Sequence, residues 1–263
     1  MEDKFTSMLD GLVRTEQHGA VRVIVLNRPQ RLNAISPALL NTLNTRLAQA
    51  MSDDSVRVLV LRGEGRAFCA GDDLLEQIEN GDIEESALRQ MVGDLQQVTR
   101  QLMWGSKPVI GLVHGWAIGG GFSWTLNCDI SLWAKSARGK LPEIKFGLFP
   151  SGGLTYLLPR AIGRMAAMQA ALTGTEFSAD ELHMCGVAWK VVNDEDLLPT
   201  GMALAQSIAE LPTKAAGRLK QTFLAADQTS LSTALAMEHK ACVDALLDPE
   251  TLVRIQRFLM ERK

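Results

Sequence analysis

The sequence predicts an α/β fold, and three observations carry that expectation. A strand–loop–helix unit recurs from residue 21 to about residue 190. Beyond Val192 the strand pattern stops and only helical periodicity continues. A chain of 263 residues with 46% hydrophobic content is long enough for one large core, alone or with a helical appendage. Alternating strands and helices favour an α/β architecture over segregated all-β or all-α layers.

Taken in order, residues 21–26, VRVIVL, are apolar and β-branched enough to read as a strand, which Asn27-Arg28-Pro29 breaks. Ser36 is placed to cap a helix with Pro37 at its first position, where a missing N–H is harmless. Leu39, Leu40, Leu43, Leu47 and Met51 follow at helical spacing. A second strand, Val56–Leu61, runs into Gly63-Glu64-Gly65, and a second helix carries Leu88, Met91, Val92, Leu95, Val98 and Leu102 on one face. Pro108–Val113 reads as a third strand, leading into Gly119-Gly120-Gly121 and a helix-compatible run, Phe122–Cys128. Segments 195–210, 213–226, 230–247 and 250–262 all read as helices, the last amphipathic through Leu252, Ile255, Phe258 and Leu259. These periodicities divide the chain into a core, residues 1–196, and a C-terminal helical region, residues 197–263, which serves as a lid or as an assembly surface.

Bulk composition narrows the function classes. A net charge of −3 and a pI near 5.9 give no general attraction to nucleic acid. Cys69, Cys128, Cys185 and Cys242 are far apart, with no C-x-x-C pair, which fits reduced thiols in a cytoplasmic protein. The N-terminal stretch MEDKFTSMLDGLVRTEQ has acidic residues and no apolar core, so it does not read as a signal peptide. No stretch approaches the ~18–20 apolar residues of a membrane helix. His18, His114, His183 and His239 share no metal-ligand spacing, so no metal site is expected, and His114, ending a strand, reads as structural.

Three segments can carry chemistry. The glycines of His114-Gly115-Trp116-Ala117-Ile118-Gly119-Gly120-Gly121-Phe122-Ser123 stand between a strand and a helix. Without side chains they let backbone amides approach a ligand, and free amides at a helix start favour a phosphate, a carboxylate or a developing oxyanion. On the glycines alone a tight turn is the simpler explanation, and they match neither the phosphate loop nor the dinucleotide fingerprint. Ala67-Phe68-Cys69-Ala70-Gly71-Asp72-Asp73-Leu74 is a similar small-residue loop after a strand. In Leu141-Pro142-Glu143-Ile144, Glu143 lies among apolar neighbours, where a carboxyl acquires a raised pKa suited to proton transfer; alone it also fits a surface glutamate after a proline.

Together these segments resemble the enoyl-CoA hydratase/isomerase (crotonase) family. The resemblance runs from about residue 20 to the end. It includes Leu26-Asn27-Arg28-Pro29, Leu32-Asn33-Ala34, Pro159-Arg160-Ala161-Ile162-Gly163, Leu172-Thr173-Gly174 and the ending Phe258-Leu259-Met260-Glu261-Arg262-Lys263. It implies a spiral of repeated ββα units with a C-terminal helical region, assembled as a homotrimer or a dimer of trimers. It implies an acyl-CoA substrate, with coenzyme A part of the substrate and no separate cofactor. The backbone N–H groups of Asp72 and Gly120 would then hold the thioester oxygen, and donors preorganised in this way are each worth about 3 kcal/mol. The loops holding Arg31, Ala34, Ala70, Gly71 and Asp73 would bind the coenzyme A portion, Arg31 meeting a phosphate.

The family's hydratases carry two catalytic glutamates. Glu143 stands at one of these positions, and Ser123 occupies the other. Serine is no base at neutral pH, but it can hold water or a substrate hydroxyl. The resemblance thus implies hydration or dehydration at C2–C3 of an enoyl-CoA with Glu143 as the single acid/base and Ser123 orienting water. Double-bond isomerisation is the alternative, and a catalytically silent assembly subunit the alternative of another class. Tyr156 is the chain's single tyrosine, which disfavours a phenolic substrate; Trp116 and Trp124 suit either an acyl pocket or the core.

Overall fold

The run Val21–Leu26 (β2) is almost wholly buried, and the computed structural model, which describes residues 11–73 and 84–261, shows why: it lies inside a sheet. It pairs in parallel with Val58–Gly63 (β3), aligning Val21 with Val58, and β3 pairs with Val109–Val113 (β4). Ile130–Ala134 (β6) and Lys190–Val192 (β9) continue the parallel order. Strands covered on both faces need continuous apolar runs rather than alternation, as seen in Val58–Leu61 and Val109–Val113. The other edge is Val13–His18 (β1), antiparallel to β2 across a turn at Gly19, whose φ of +60° suits glycine. Only Val13 of β1 is buried, so this strand has no apolar pattern to betray it.

A smaller sheet joins Trp116–Ile118 (β5), Arg138–Lys140 (β7) and Glu176–Ser178 (β8). Single bridges, Cys69 to Ala117 and Ile35 to Asp72, extend it. The chain therefore repeats one path: a strand of the large sheet, a short extended piece in the small one, then a helix. Pro37–Ser52 (α1), Glu85–Trp104 (α2) and Gly120–Asn127 (α3) follow the first three passes. The Ser36 hydroxyl accepts the Leu39 N–H at 3.2 Å, the cap the sequence predicts. On α2, Leu95, Val98 and Leu102 are buried, but Leu88 and Val92 are exposed, so its apolar face is covered only toward the C-terminal end.

Leu154–Ile162 (α4), Arg164–Thr173 (α5) and Ala179–Met184 (α6) come next. Leu197–Ala209 (α7) then lies on the large sheet: Leu197 and Ala205 are buried, and a side chain at Gly201 would stand 2.3 Å from Leu112. Thr213–Ala226 (α8) is pinned to the body by Lys220, whose Nζ pairs with Asp129 at 2.8 Å and donates to the carbonyls of Leu102 and Lys107. Leu231–Leu246 (α9) and Pro249–Glu261 (α10) contain no buried residue. They present Leu235, Leu246, Leu252, Phe258 and Leu259 to the exterior.

Candidate active site

Backbone bonds draw two loops together first. Asn33 adopts a left-handed φ of +57°, which asparagine tolerates, and its side chain is fully buried. Its Oδ1 accepts the Arg28 N–H at 2.8 Å, and its Nδ2 donates to Glu64 O at 2.9 Å and Ala67 O at 2.8 Å. The loop after β2 is thereby locked onto the exit of β3. Ala70 N–H then donates to Leu32 O at 3.0 Å, Ile35 N–H to Gly71 O at 2.8 Å and Asp73 N–H to Ile35 O at 2.9 Å. Gly71, at φ +81°, presses against Ile118 O, where a Cβ would stand 2.8 Å away. This contact brings the third loop, 118–121, alongside.

The β7 end supplies the acid. Gly119 N–H donates to Lys140 O at 2.9 Å, so the turn that follows β7, Glu143–Phe146, is held at the start of α3. Glu143 is 6% exposed, and neither carboxyl oxygen reaches a hydrogen-bond partner on another described residue. Its Oε1 stands over Gly119, 3.1 Å from where a Cβ would be. Burial raises its pKa, partly offset by its own backbone N–H, and the nearby Asp72 carboxylate raises it further. Asp72 and Gly120 follow the pressed glycine and the glycine turn respectively, and among the described residues neither N–H donates to an acceptor. Ala70, Gly71, Asp72, Ile118 and Glu143 face one cavity of about 280 Å³.

The other sequence-predicted residues divide. Ala34 is buried beside this junction and Arg31 is exposed on the turn Pro29–Arg31, part of the same loop. Asp73 departs from the expectation that it meets the ligand. It is 5% exposed, its carboxylate pairs with Arg28 Nη1 at 2.7 Å, and the same nitrogen holds Ala34 O at 3.1 Å, so it clamps the two loops. Ser123 departs as well. It is fully buried, and its one hydroxyl proton is directed at the carbonyls of Gly119, 3.2 Å, and Ser151, 3.0 Å. The cause is local: a serine inside a helix bonds back to the carbonyl four residues earlier, and Gly152 closes over its Cβ. It does not line the cavity.

Lys140, Phe146 and Leu148, to which the sequence assigns no role, also line the cavity on either side of the Pro142-Glu143 pair. Trp124 belongs to the core, and His114 Nε2 lies 2.9 Å from Gly65 O, a structural bond. Tyr156 lies elsewhere, in a larger cavity of about 680 Å³ where its hydroxyl donates to Asp227 and Arg160 covers its ring. Those groups satisfy one another and leave no unpartnered acid.

Comparison with known proteins identifies the family. The family model described as enoyl-CoA hydratase/isomerase matches residues 16–263. The chain belongs to the enoyl-CoA hydratase/isomerase family. It is 39% identical over 219 residues to the 1,2-epoxyphenylacetyl-CoA isomerase of Escherichia coli (strain K12), covering 83% of this chain and 84% of that protein. It is 32% identical over 249 residues to the short-chain-enoyl-CoA hydratase of Clostridium acetobutylicum, covering 94% of each. The crystal structure of the enoyl-CoA hydratase from Bacillus anthracis superposes with a TM-score of 0.90 at 31% identity, over 95% of this chain and 96% of that one. The protein is thus an enzyme of the hydratase/isomerase family with the crotonase-like spiral fold, and an acyl-CoA substrate is consistent with that membership. Among the described residues no group of three or more potential ligands could hold a metal ion, and no helix is long and apolar enough to cross a membrane.

Proposed function

We propose that this enzyme adds water across, or removes it from, C2–C3 of an enoyl-CoA thioester through an oxyanion-stabilised enolate, with Glu143 as the acid/base. The observation that carries this is the Glu143 carboxyl, buried and without a hydrogen-bond partner among the described residues, facing the same cavity as the Asp72 loop at the start of α3. An unpartnered buried acid costs stability and is retained where it moves protons. Proton gain or loss at C2 puts negative charge on the thioester oxygen, and the N–H groups of Asp72 and Gly120, which donate to no acceptor among the described residues, would receive it. Arg31, Ala34, Ala70 and Gly71 border the path for the coenzyme A portion, which enters as part of the substrate, with no further cofactor. The same acid argues against a catalytically silent subunit.

Double-bond isomerisation is the second reading. A single carboxyl can carry one proton between two carbons, and Ser123 is withdrawn from the cavity. The test offers the enzyme 2-enoyl-CoA and 3-enoyl-CoA thioesters in D2O, following hydration, isomerisation and deuterium entry at C2. No turnover and no deuterium entry would overturn the enolate assignment.

The exposed apolar residues of α9 and α10 support assembly as a homotrimer or a dimer of trimers. Sedimentation is expected to show one of these states; a stable monomer at micromolar concentration counts against it. The thiols are unpaired, and burial pushes Cys69 and Cys128 up to about 12, which suits inert cysteines of a cytoplasmic enzyme.

A further inference from the structure

We propose that the Asp72 carboxyl, and not the Ser123 hydroxyl, is the second proton-transferring group of this site; this rests on the assignment of Glu143 above. The backbone of Asp72 is fixed by the bridge to Ile35, through the bonds Ile35 N–H to Gly71 O and Asp73 N–H to Ile35 O. Side chains alternate along this extended piece. Asp73 turns into the ion pair with Arg28, while Asp72 faces the cavity that Glu143 faces. The two carboxyls flank consecutive glycines at the start of α3. A Cβ on Gly119 would stand 3.1 Å from Glu143 Oε1, and one on Gly120 would stand 3.8 Å from Asp72 Oδ1.

Among the described residues no hydrogen bond or ion pair engages the Asp72 carboxyl, so it is available to a ligand, whereas both acceptors of the Ser123 proton are backbone carbonyls. The carboxyls also sense each other: burial raises the pKa of Asp72, and its charge adds to the rise at Glu143. Two neighbouring carboxyls of this kind divide naturally into one acid and one base.

Hydration then balances as follows. The Asp72 carboxylate takes a proton from water as the oxygen forms its bond to C3. The C2–C3 π electrons shift into the enolate, placing charge on the thioester oxygen between the Asp72 and Gly120 N–H groups. The enolate collapses and C2 takes the proton of the Glu143 carboxylic acid. One water has been added, Asp72 is left protonated and Glu143 ionised, and one proton moved between them through solvent restores the start. Dehydration runs the same steps backwards.

The test compares wild type with Asp72→Asn, which keeps the backbone N–H and hence the oxyanion donor. kcat and KM are measured across pH with a four-carbon 2-enoyl-CoA, or a 3-enoyl-CoA if wild type only isomerises. Asp72→Asn is expected to lower kcat at least ~10²-fold with KM little changed and to lose one limb of the pH profile. Asp72→Glu is expected to recover part of kcat. Asp72→Ser, which is smaller and also keeps the amide, repeats the test should the asparagine variant misfold. Ser123→Ala is expected to cost less than about fivefold. The proposal is overturned if Asp72→Asn stays within about fivefold of wild type with a superimposable pH profile, or if Ser123→Ala is the more damaging change. Deuterium entry at C2 in wild type separates the two assignments. If it occurs while Asp72→Asn is unimpaired, only the Asp72 role falls; if wild type shows neither exchange nor turnover, the Glu143 role falls and this one with it.

Discussion

Glu143→Gln isolates the proposed acid/base from everything else at the site. The replacement has nearly the same shape, and among the described residues no other one bonds to the carboxyl, so none of them is orphaned. The proposed oxyanion donors belong to the backbone of Asp72 and Gly120 and are untouched. Acid/base catalysis typically contributes ~10²–10⁴-fold, which is about 2.7–5.4 kcal/mol of barrier, and kcat is expected to fall by that factor while acyl-CoA binding persists. Stability should move the other way. A carboxyl whose folded pKa is raised favours folding only while protonated, and that advantage is lost as pH rises through the folded value. Above the ordinary carboxylate range the raised pKa therefore weighs against the fold, and the neutral amide removes that burden. Below the ordinary carboxylate range wild type and variant should converge. For the same reason the limb of the wild-type pH–kcat profile that reports Glu143 should lie above the ordinary glutamate value. The assays are steady-state kinetics, calorimetric binding of a non-reactive acyl-CoA and thermal unfolding at acid and neutral pH. Full activity of Glu143→Gln on the true substrate would refute the enolate mechanism, and a collapse of binding along with kcat would show that the residue positions substrate instead.

Two further outcomes follow from the packing. Gly120→Val places a Cβ 2.8 Å from Ile35 Cδ1 and disturbs one of the two proposed oxyanion donors, so turnover is expected to fall ~10²–10³-fold; unchanged kinetics would remove Gly120 from the oxyanion site. Lys220→Met strips two buried carbonyls of a donor and Asp129 of its cation, at a cost of about 3 kcal/mol. The unfolding midpoint should then drop by about 6–12 °C, and a shift below about 2 °C would show that Lys220 does not pin α8.

The helices and central strands were legible because burial writes itself into periodicity. The leucines of α1 recur at helical spacing, and β2 to β4 are continuous apolar runs because both faces of a parallel sheet are covered. β1 was not legible, since an edge strand with one buried residue carries no such signature and is defined by its pairing with β2. The outer half of the α2 apolar face looked like core in sequence but is uncovered within this chain, because periodicity reports a face and not what packs on it.

At the site, the sequence by itself determined which residue types are present: the glycine run, the small-residue loop and a glutamate among apolar neighbours. Those follow from steric needs, since only glycine survives the close approaches at Gly71 and Gly121. Direction was decided by the tertiary structure alone. Asp72 and Asp73 are adjacent and identical in chemistry, yet one faces the cavity and the other is spent on Arg28. The resemblance sets Ser123 at a catalytic position, yet its hydroxyl is taken by two carbonyls that only the folded chain brings to it. A side chain's role depends on which groups surround it in space, and those come from β7, α3 and three separate loops, a convergence that no local window of sequence contains.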